Sequence, residues 1–207
     1  MDFTIMDSMD KNLMLLLNYN GGYVQDCIWL AFSSRLLWVL PAVLLIVYLF
    51  RTQKPSHALS VILAIALTVL LCDQISSGLI KPLCARLRPS HNPEICGLLH
   101  YVNGYHGGMY GFVSSHAANS FGVTTFVSYL LRRRWVCAIM TILSIGVAYS
   151  RIYLGVHYPG DVIAGGLLGV IIGASVYKAW LFGYHNLKFE MPQYQWQKIK
   201  GWFGSLL

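Results

Sequence analysis

Five long apolar stretches constrain this chain more than any other feature of its sequence. A helix that crosses a bilayer needs about 20 mainly apolar residues. Five segments approach that length: 34–50, 58–80, 117–131, 135–149 and 161–182. Because 56% of the residues are hydrophobic and only 11% are charged, an ordinary soluble domain is a poor fit. A soluble protein with very hydrophobic core helices is the alternative, but several runs exceed the ~14 residues typical of such helices. The sequence therefore predicts an all-α, integral membrane helical bundle with about five transmembrane helices.

The segments around this apolar core predict one domain and no second one. No internal repeat, low-complexity tract or long linker divides residues 1–207. We expect residues 1–33 to form an interfacial N-terminal segment, 34–182 the transmembrane core and 183–207 a cytoplasmic tail. Residues 9–17 are apolar but too short to span, which favours a helix in the plane of the interface. Because acidic residues precede the first basic one, we expect no cleaved signal.

Basic residues predict how the helices are oriented, because cytoplasmic loops collect Lys and Arg. They follow the first span, separate the third from the fourth and follow the fifth: Arg51, Lys54, Arg132, Arg133, Arg134, Lys178, Lys188, Lys198 and Lys200. Loops 81–114 and 150–160 then face the other side, together with the N-terminus. We expect a multi-pass integral membrane protein with these loops on the extracytoplasmic side. Nucleic acid is not an expected partner, because the net charge of +7 forms no long basic stripe in a soluble domain.

The first of three polar clusters follows the second span and contains Lys81 and Arg88. If Pro82 opens a short helical turn, the two cations lie on roughly one face, because they are seven residues apart. Two cations on one face could grip a single phosphate. The alternative is that both side chains only reach the headgroup region from the end of a span.

The second cluster begins the third span, where Ser114 is suited to cap the helix. The first turn of a helix offers free N–H groups and the positive end of the helix dipole, and both attract anions. His116 at that end could protonate a departing oxygen as a general acid. A serine and a histidine at a helix start can also be no more than a cap.

The third cluster lies between the fourth and fifth spans. His157 and Asp161 are four residues apart, which can bring a carboxylate to one imidazole nitrogen and leave the other free to attack phosphorus. The guanidinium of Arg151 is a planar fork that matches phosphate oxygens. A purely structural ion pair between His157 and Asp161 is the alternative.

Together the clusters resemble the signature motifs of the type-2 phosphatidic acid phosphatase superfamily, which read K-x6-R-P, P-S-G-H and S-R-x5-H-x3-D. The first and third match fully, while the second has Val113 for proline and Ser115 for glycine. The resemblance implies a membrane lipid phosphatase that works through a phosphohistidine. The implied nucleophile, supporting carboxylate and general acid are His157, Asp161 and His116. The implied phosphate ligands are Lys81, Arg88, Ser114, Arg151 and the backbone N–H of Ser115.

The resemblance also limits the substrate and the cofactors. It implies a lipid phosphate held in the bilayer, with undecaprenyl diphosphate and lipid A phosphate favoured over phosphatidylglycerol phosphate and phosphatidate. No metal or other cofactor is expected, because Lys81, Arg88 and Arg151 supply the positive charge that magnesium often provides. Vanadium haloperoxidases share the motifs but are soluble. A transporter or channel is a further alternative, although Asp73 and Gln74 are the only strongly polar pair inside a span.

The five cysteines show no spacing typical of a zinc site. Cys84 and Cys96 share the loop expected outside the cytoplasm, where disulfides persist. A disulfide between them is therefore a hypothesis.

Overall fold

All regular secondary structure in the described residues is helical. The computed structural model describes the backbone of residues 3–186 and the side chains of residues 7–184. The α-helices are α1 (Phe3–Leu17), α2 (Gly22–Ser33), α3 (Val39–Thr52), α4 (Pro55–Asp73), α5 (Lys81–Cys84), α6 (Ser115–Leu131), α7 (Arg134–Tyr153) and α8 (Pro159–Asn186). Short 3-10 helices occupy Arg35–Trp38, Pro89–His91 and Cys96–Leu98, and a π-helical segment, Gln74–Ile80, joins α4 to α5. Most of the predicted cytoplasmic tail lies outside the described residues.

Four helical segments of the described chain are long and apolar enough to cross a membrane: Arg35–Thr52, Pro55–Cys84, Arg134–Tyr153 and Pro159–Tyr184. The sequence predicts α6 as a further span, but this helix has 17 residues, slightly fewer than the ~20 that a span needs. The predicted fold class, an all-α integral membrane helical bundle, is confirmed. The count of five spans stays a prediction.

The outer surface of the bundle is apolar. In α3 only Leu49 is buried, whereas Leu40 and Leu44 expose 66% and 60% of their surface. Isolated exposed leucines are common in soluble proteins, but contiguous exposed apolar faces are not. Faces of this kind match contact with lipid tails.

The centre of the bundle is the packed pair α6 and α8. Glycines four residues apart on α8 let the two backbones approach closely, as small residues do between membrane helices. A Cβ atom on Gly169 would lie 2.2 Å from the carbonyl oxygen of Ala118, and one on Gly173 would lie 2.3 Å from that of Gly122. The close approach fixes the N-terminal ends of α6 and α8 side by side, and the second and third sequence clusters lie at these ends.

The N-terminal helices pack against the rest of the protein. Met14 of α1 is fully buried in a cluster that includes Ala148 and Val162. The side-chain amide of Asn18 donates to the carbonyl oxygens of Ile152 and Tyr153, at 3.2 and 2.7 Å. The segment predicted to lie in the interface therefore also covers the ends of α7 and α8.

Candidate active site

The three sequence clusters meet at one end of the bundle. The backbone N–H of Ser114 donates to the carbonyl oxygen of Asp161 at 3.0 Å, which ties the start of α6 to the start of α8. The Ser114 hydroxyl accepts the N–H of Ala117 at 3.5 Å, so the predicted N-cap is confirmed. His116, in the first turn of α6, interacts electrostatically with both Arg151 and His157.

His157 lies in the turn between α7 and α8 and is 1% exposed. Its Nδ1 atom is 3.5 Å from Oδ2 of Asp161, which is too long for a strong hydrogen bond, and Nδ1 has no other partner. The Asp161 Oδ2 atom instead accepts the N–H of Tyr158 at 3.1 Å. Nδ1 thus faces the carboxylate, and Nε2 lies on the opposite edge of the ring.

Burial lowers the pKa of His157 well below its usual value, and the nearby Arg88, Arg151 and Lys81 lower it further. A histidine in this environment is neutral at physiological pH. Its ring nitrogen is therefore available as a nucleophile.

The cations around His157 have no carboxylate partners among the described residues. Arg151 is 2% exposed, and its Nη1 and Nη2 atoms donate to the hydroxyls of Ser33 and Tyr105, the latter at 3.4 Å. Its Nε atom has no partner. Arg88 donates from Nε to the carbonyl oxygen of Tyr110 at 3.1 Å, and burial together with Arg151 lowers the pKa of Arg88. Buried cations without counter-ions are costly, so this site is suited to receive an anion.

Lys81 reaches the second cluster through Ser115. Its Nζ atom donates to the Ser115 hydroxyl at 2.6 Å. The same hydroxyl lies 2.9 Å from the Ser76 hydroxyl and 2.8 Å from the Ser77 hydroxyl, both in the π-helical segment. The side chain that replaces the motif glycine is therefore bonded to Lys81 and to this segment.

The prediction that Lys81 and Arg88 share one helical face is wrong. Helix α5 ends at Cys84, because Ala85 adopts the left-handed conformation with φ 46°. Arg88 is extended, with φ −65° and ψ 156°, as expected for a residue before proline. Both cations still act on His157, but tertiary structure and not helical spacing brings them together.

A second basic group, which the sequence did not reveal, lies behind Asp161. Nη1 of Arg86 donates to Oδ1 of Asp161 at 2.8 Å, and its Nη2 atom contacts Asp10 at 2.8 Å and Asp7 at 3.1 Å. Burial opposes the charge of Arg86, but these three carboxylates outweigh it and raise the pKa of Arg86. Asp7 and Asp10 are therefore two acidic residues beside the clusters that the sequence motifs do not mark.

A cavity of about 270 Å³ opens beside His116 and Arg151. Hydroxyl and apolar side chains complete its wall: Leu30, Ser33, Ser34, Tyr105 and Leu154. The two serines come from the end of α2 and the residue after it, and Tyr105 comes from the loop before α6. No motif in the sequence marks them.

The cysteines are free thiols. Cys84 is exposed and Cys96 is partly exposed, and the proposed disulfide between them is not formed in the structure. Within the described residues, no three His, Cys, Asp or Glu side chains form a group that could hold a metal ion.

Comparisons with known proteins agree with this architecture. Residues 57–183, more than half of the chain, match the PAP2 superfamily. The chain is 37% identical over 175 residues to a lipid A 4'-phosphatase of Porphyromonas gingivalis, covering 84% of this chain and 74% of that protein. It is 38% identical over 179 residues to a lipid A 4'-phosphatase of Bacteroides thetaiotaomicron, covering 86% of this chain and 76% of that protein.

Solved structures share the fold. Aquifex aeolicus LpxE is 26% identical and superposes with a TM-score of 0.60 over 81% of this chain and 93% of its own. A Bacillus subtilis PAP2-type phosphatidylglycerolphosphate phosphatase, 20% identical, superposes with a TM-score of 0.65 over 90% of each chain and shares the fold alone. The resemblance inferred from the three motifs is thus confirmed, and the transporter and haloperoxidase alternatives lose their support. The chain belongs to the PAP2 superfamily and is a multi-pass membrane lipid phosphatase.

Proposed function

We propose that this enzyme hydrolyses a phosphate monoester on the sugar headgroup of lipid A. The reaction releases phosphate and passes through a phosphohistidine on His157. The observation that supports the chemistry most is a buried, neutral histidine surrounded by three cations that have no carboxylate partner in the described part of the chain. Preorganised positive charge in a site shielded from water stabilises the charge that develops during phosphoryl transfer.

In the first step, Nε2 of His157 attacks phosphorus while the phosphate is held by three side-chain cations and the start of α6. The ligands are Lys81, Arg88, Arg151, Ser114 and the backbone N–H of Ser115. A bound phosphate dianion offsets the nearby cations and favours the protonated form of His116. His116 then donates a proton to the leaving sugar oxygen, so that the P–O bond breaks to give an alcohol. Asp161 stabilises the positive charge that His157 gains as its Nε2–P bond forms.

In the second step, a water molecule hydrolyses the phosphohistidine. His116, now neutral, takes a proton from the water as its oxygen attacks phosphorus, and the bond to Nε2 breaks. Inorganic phosphate leaves, and both histidines return to their starting states. The three cations supply the positive charge at each step, so the mechanism uses no metal or other cofactor.

The cavity beside His116 supports a sugar as the leaving group. We assign this space to the group that departs next to the general acid, and its wall carries three hydroxyls and two leucines. Sugars present hydroxyls and apolar C–H faces, and both match such a lining. The leaving group of undecaprenyl diphosphate would instead be a second phosphate, which needs further cations. A further arginine, Arg86, lies beside Asp161, but its charge is already paired with Asp161, Asp10 and Asp7. The names of the Porphyromonas and Bacteroides relatives agree with this choice.

We place the active site at the periplasmic face of the inner membrane. The basic loop that contains Arg132, Arg133 and Arg134 joins the ends of α6 and α7 farthest from His157, and basic loops collect in the cytoplasm. A lipid at the opposite face can keep its tails in the bilayer while its phosphate reaches His157.

Phosphate release by purified enzyme in detergent tests the substrate. The panel contains bis-phosphorylated lipid A, undecaprenyl diphosphate, phosphatidylglycerol phosphate and phosphatidate, with His157→Ala as the inactive control. We expect the highest kcat/KM with lipid A. A higher kcat/KM with undecaprenyl diphosphate would overturn the assignment of the cavity to a sugar.

A further inference from the structure

Arg86 joins the catalytic centre to the N-terminal helix. Its guanidinium bridges Oδ1 of Asp161 on α8 and the carboxylates of Asp10 and Asp7 on α1, at 2.8, 2.8 and 3.1 Å. The guanidinium also lies 4.1 Å above the ring of Tyr158, a contact suited to cation–π attraction. These contacts fix both nitrogen ends of the arginine fork.

Asp10 contacts α8 directly as well. Its Oδ1 atom accepts the N–H of Gly160 at 2.8 Å, in the first turn of α8, where a negative charge is favourable. A Cβ atom on Gly160 would lie 2.8 Å from Oδ2 of Asp10, so a larger residue there would displace this carboxylate. One carboxylate of α1 thus touches both the residue before Asp161 and the arginine that contacts Asp161.

Asp161 depends on these contacts because it is fully buried. A buried carboxylate is costly unless its charge is paired and its oxygens are hydrogen-bonded. Arg86 satisfies Oδ1, while the N–H of Tyr158 satisfies Oδ2, the atom nearest to His157. Loss of Arg86 would remove the charge partner of the Asp161 carboxylate and the contact that fixes the orientation of this group.

We propose that Arg86 is a positioning residue for Asp161. Helix α1 holds Arg86 through Asp10 and Asp7, so turnover depends on α1 being packed in place. The inference rests on the proposed role of His157 and Asp161. Arg86 does not touch the phosphate; it fixes the carboxylate that stabilises the histidine. Its loss should therefore slow the chemical step without weakening substrate binding.

Steady-state kinetics on bis-phosphorylated lipid A test this proposal. Arg86→Gln should lower kcat about 10- to 100-fold, the range typical of lost supporting contacts behind an active-site ligand, with the apparent KM nearly unchanged. Arg86→Lys should recover part of the loss, because it keeps the charge but cannot bridge Asp161 and Asp10 with a planar fork. Asp10→Asn should lower kcat about tenfold, the cost of weakening one hydrogen bond to a charged group.

Glu94→Gln is the matched control, because it removes a different ion pair made by α1. Glu94 pairs with Lys11 of α1 at 2.8 Å but does not contact Arg86, so this variant removes an ion pair of α1 without disturbing Asp161. It should keep the wild-type kcat. A fall in kcat equal to that of Asp10→Asn would mean that general loosening of α1, and not the contact with Arg86, is responsible.

A double variant separates a shared route from independent effects. If Asp10 acts through Arg86, Asp10→Asn should add little to the loss of kcat in Arg86→Gln. Fully multiplicative losses would overturn the proposal, as would a raised KM with normal kcat in Arg86→Gln. An active His157→Ala enzyme would refute the proposed function itself, whereas an inactive His157→Ala with a fully active Arg86→Gln would refute only the role of Arg86.

Discussion

Arg86 and Arg88 are two residues apart in the chain, yet they lie in opposite electrostatic surroundings. Arg86 contacts three carboxylates, including that of Asp161. Arg88 donates to a backbone carbonyl and contacts no carboxylate of the described residues. An arginine whose charge is already paired supports the fold, while one without a counter-ion is free to bind the anion of a substrate. The pairing of charges, more than basic composition, indicates which cations serve phosphate.

The same contrast divides the surroundings of His157. On one side are Arg88, Arg151 and Lys81, which lower the pKa of His157, and Arg151 also lines the cavity. On the other edge lies Asp161, supported by Arg86. The first side attracts phosphate and keeps the imidazole neutral. The second can stabilise the imidazole once it has become phosphorylated and positively charged.

The largest expected effect comes from removing His157, which lies between the cations and Asp161. His157→Ala should reduce turnover to near background, because no neighbouring side chain can replace the nucleophile. Membrane insertion should be unaffected, as measured by the yield of protein in the membrane fraction. Activity close to wild type would mean that His157 is not the nucleophile, and that the cations and Asp161 do not surround the reacting group.

Asp161→Asn should cost less than His157→Ala, because the imidazole remains able to attack. Phosphate release at saturating lipid concentration measures both variants under identical conditions. Equal losses would indicate that the pair has only a structural role.

Substitutions of Arg86 and Arg88 should differ in their effects on turnover and on thermal stability. Arg88→Gln should lower turnover about 10²- to 10³-fold, as loss of one group that stabilises a transition-state charge does. It should lower the thermal midpoint less than Arg86→Gln does, because it removes a partly buried cation that contacts no carboxylate of the described residues. Arg86→Gln should lower the midpoint by about 2–4 °C for each kcal/mol of stability lost. Equal midpoints for the two variants would remove the distinction between paired and unpaired arginines.

Vanadate should bind to the cation side and raise the thermal midpoint of the wild-type enzyme. It can adopt the five-coordinate shape of phosphorus during transfer, so it should inhibit competitively and bind more tightly than phosphate. Stabilisation should grow with vanadate concentration, by about 2.7 kcal/mol at 100 times Kd. Arg151→Gln should diminish this shift in a thermal unfolding assay. An unchanged shift in the variant would mean that Arg151 does not hold the anion.

The smallest effect concerns the loop that carries both arginines. Cys84 is exposed, and it lies two residues before Arg86. A membrane-impermeant thiol reagent should label it in intact spheroplasts without a reductant, while the buried Cys72 should remain unlabelled. Labelling of Cys84 only after reduction would restore the disulfide hypothesis, and labelling only after lysis would reverse the predicted orientation.

Local sequence patterns predicted the fold class, and they indicated the three clusters that the structure brings together at the candidate site. Apolar runs of nearly bilayer length predicted most of the long helices, because hydrophobic length decides which segments can span. The Ser114 cap and the short spacing of His157 and Asp161 are local features, so sequence could indicate them. Both contacts depend on residues no more than four positions apart.

The groups that sequence could not indicate depend on contacts between distant segments. Asp7 and Asp10 meet Arg86 across more than 70 residues, and Ser33 meets Arg151 across more than 100. No periodicity encodes such pairs, since they arise only when α1 and α2 pack against α7 and α8. The helical placement of the first motif failed for a related reason. A left-handed residue at Ala85 ended α5 where the spacing alone would allow it to continue.

The configuration at phosphorus tests the central claim, a phosphohistidine on His157, most directly. A substrate whose phosphate is made chiral with oxygen isotopes would be hydrolysed in isotopically labelled water, and the configuration of the released phosphate would be determined. Two successive in-line displacements, first by His157 and then by water, invert the configuration twice. The mechanism therefore predicts overall retention. Overall inversion would show that water attacks the lipid phosphate directly, and would contradict the covalent role of His157.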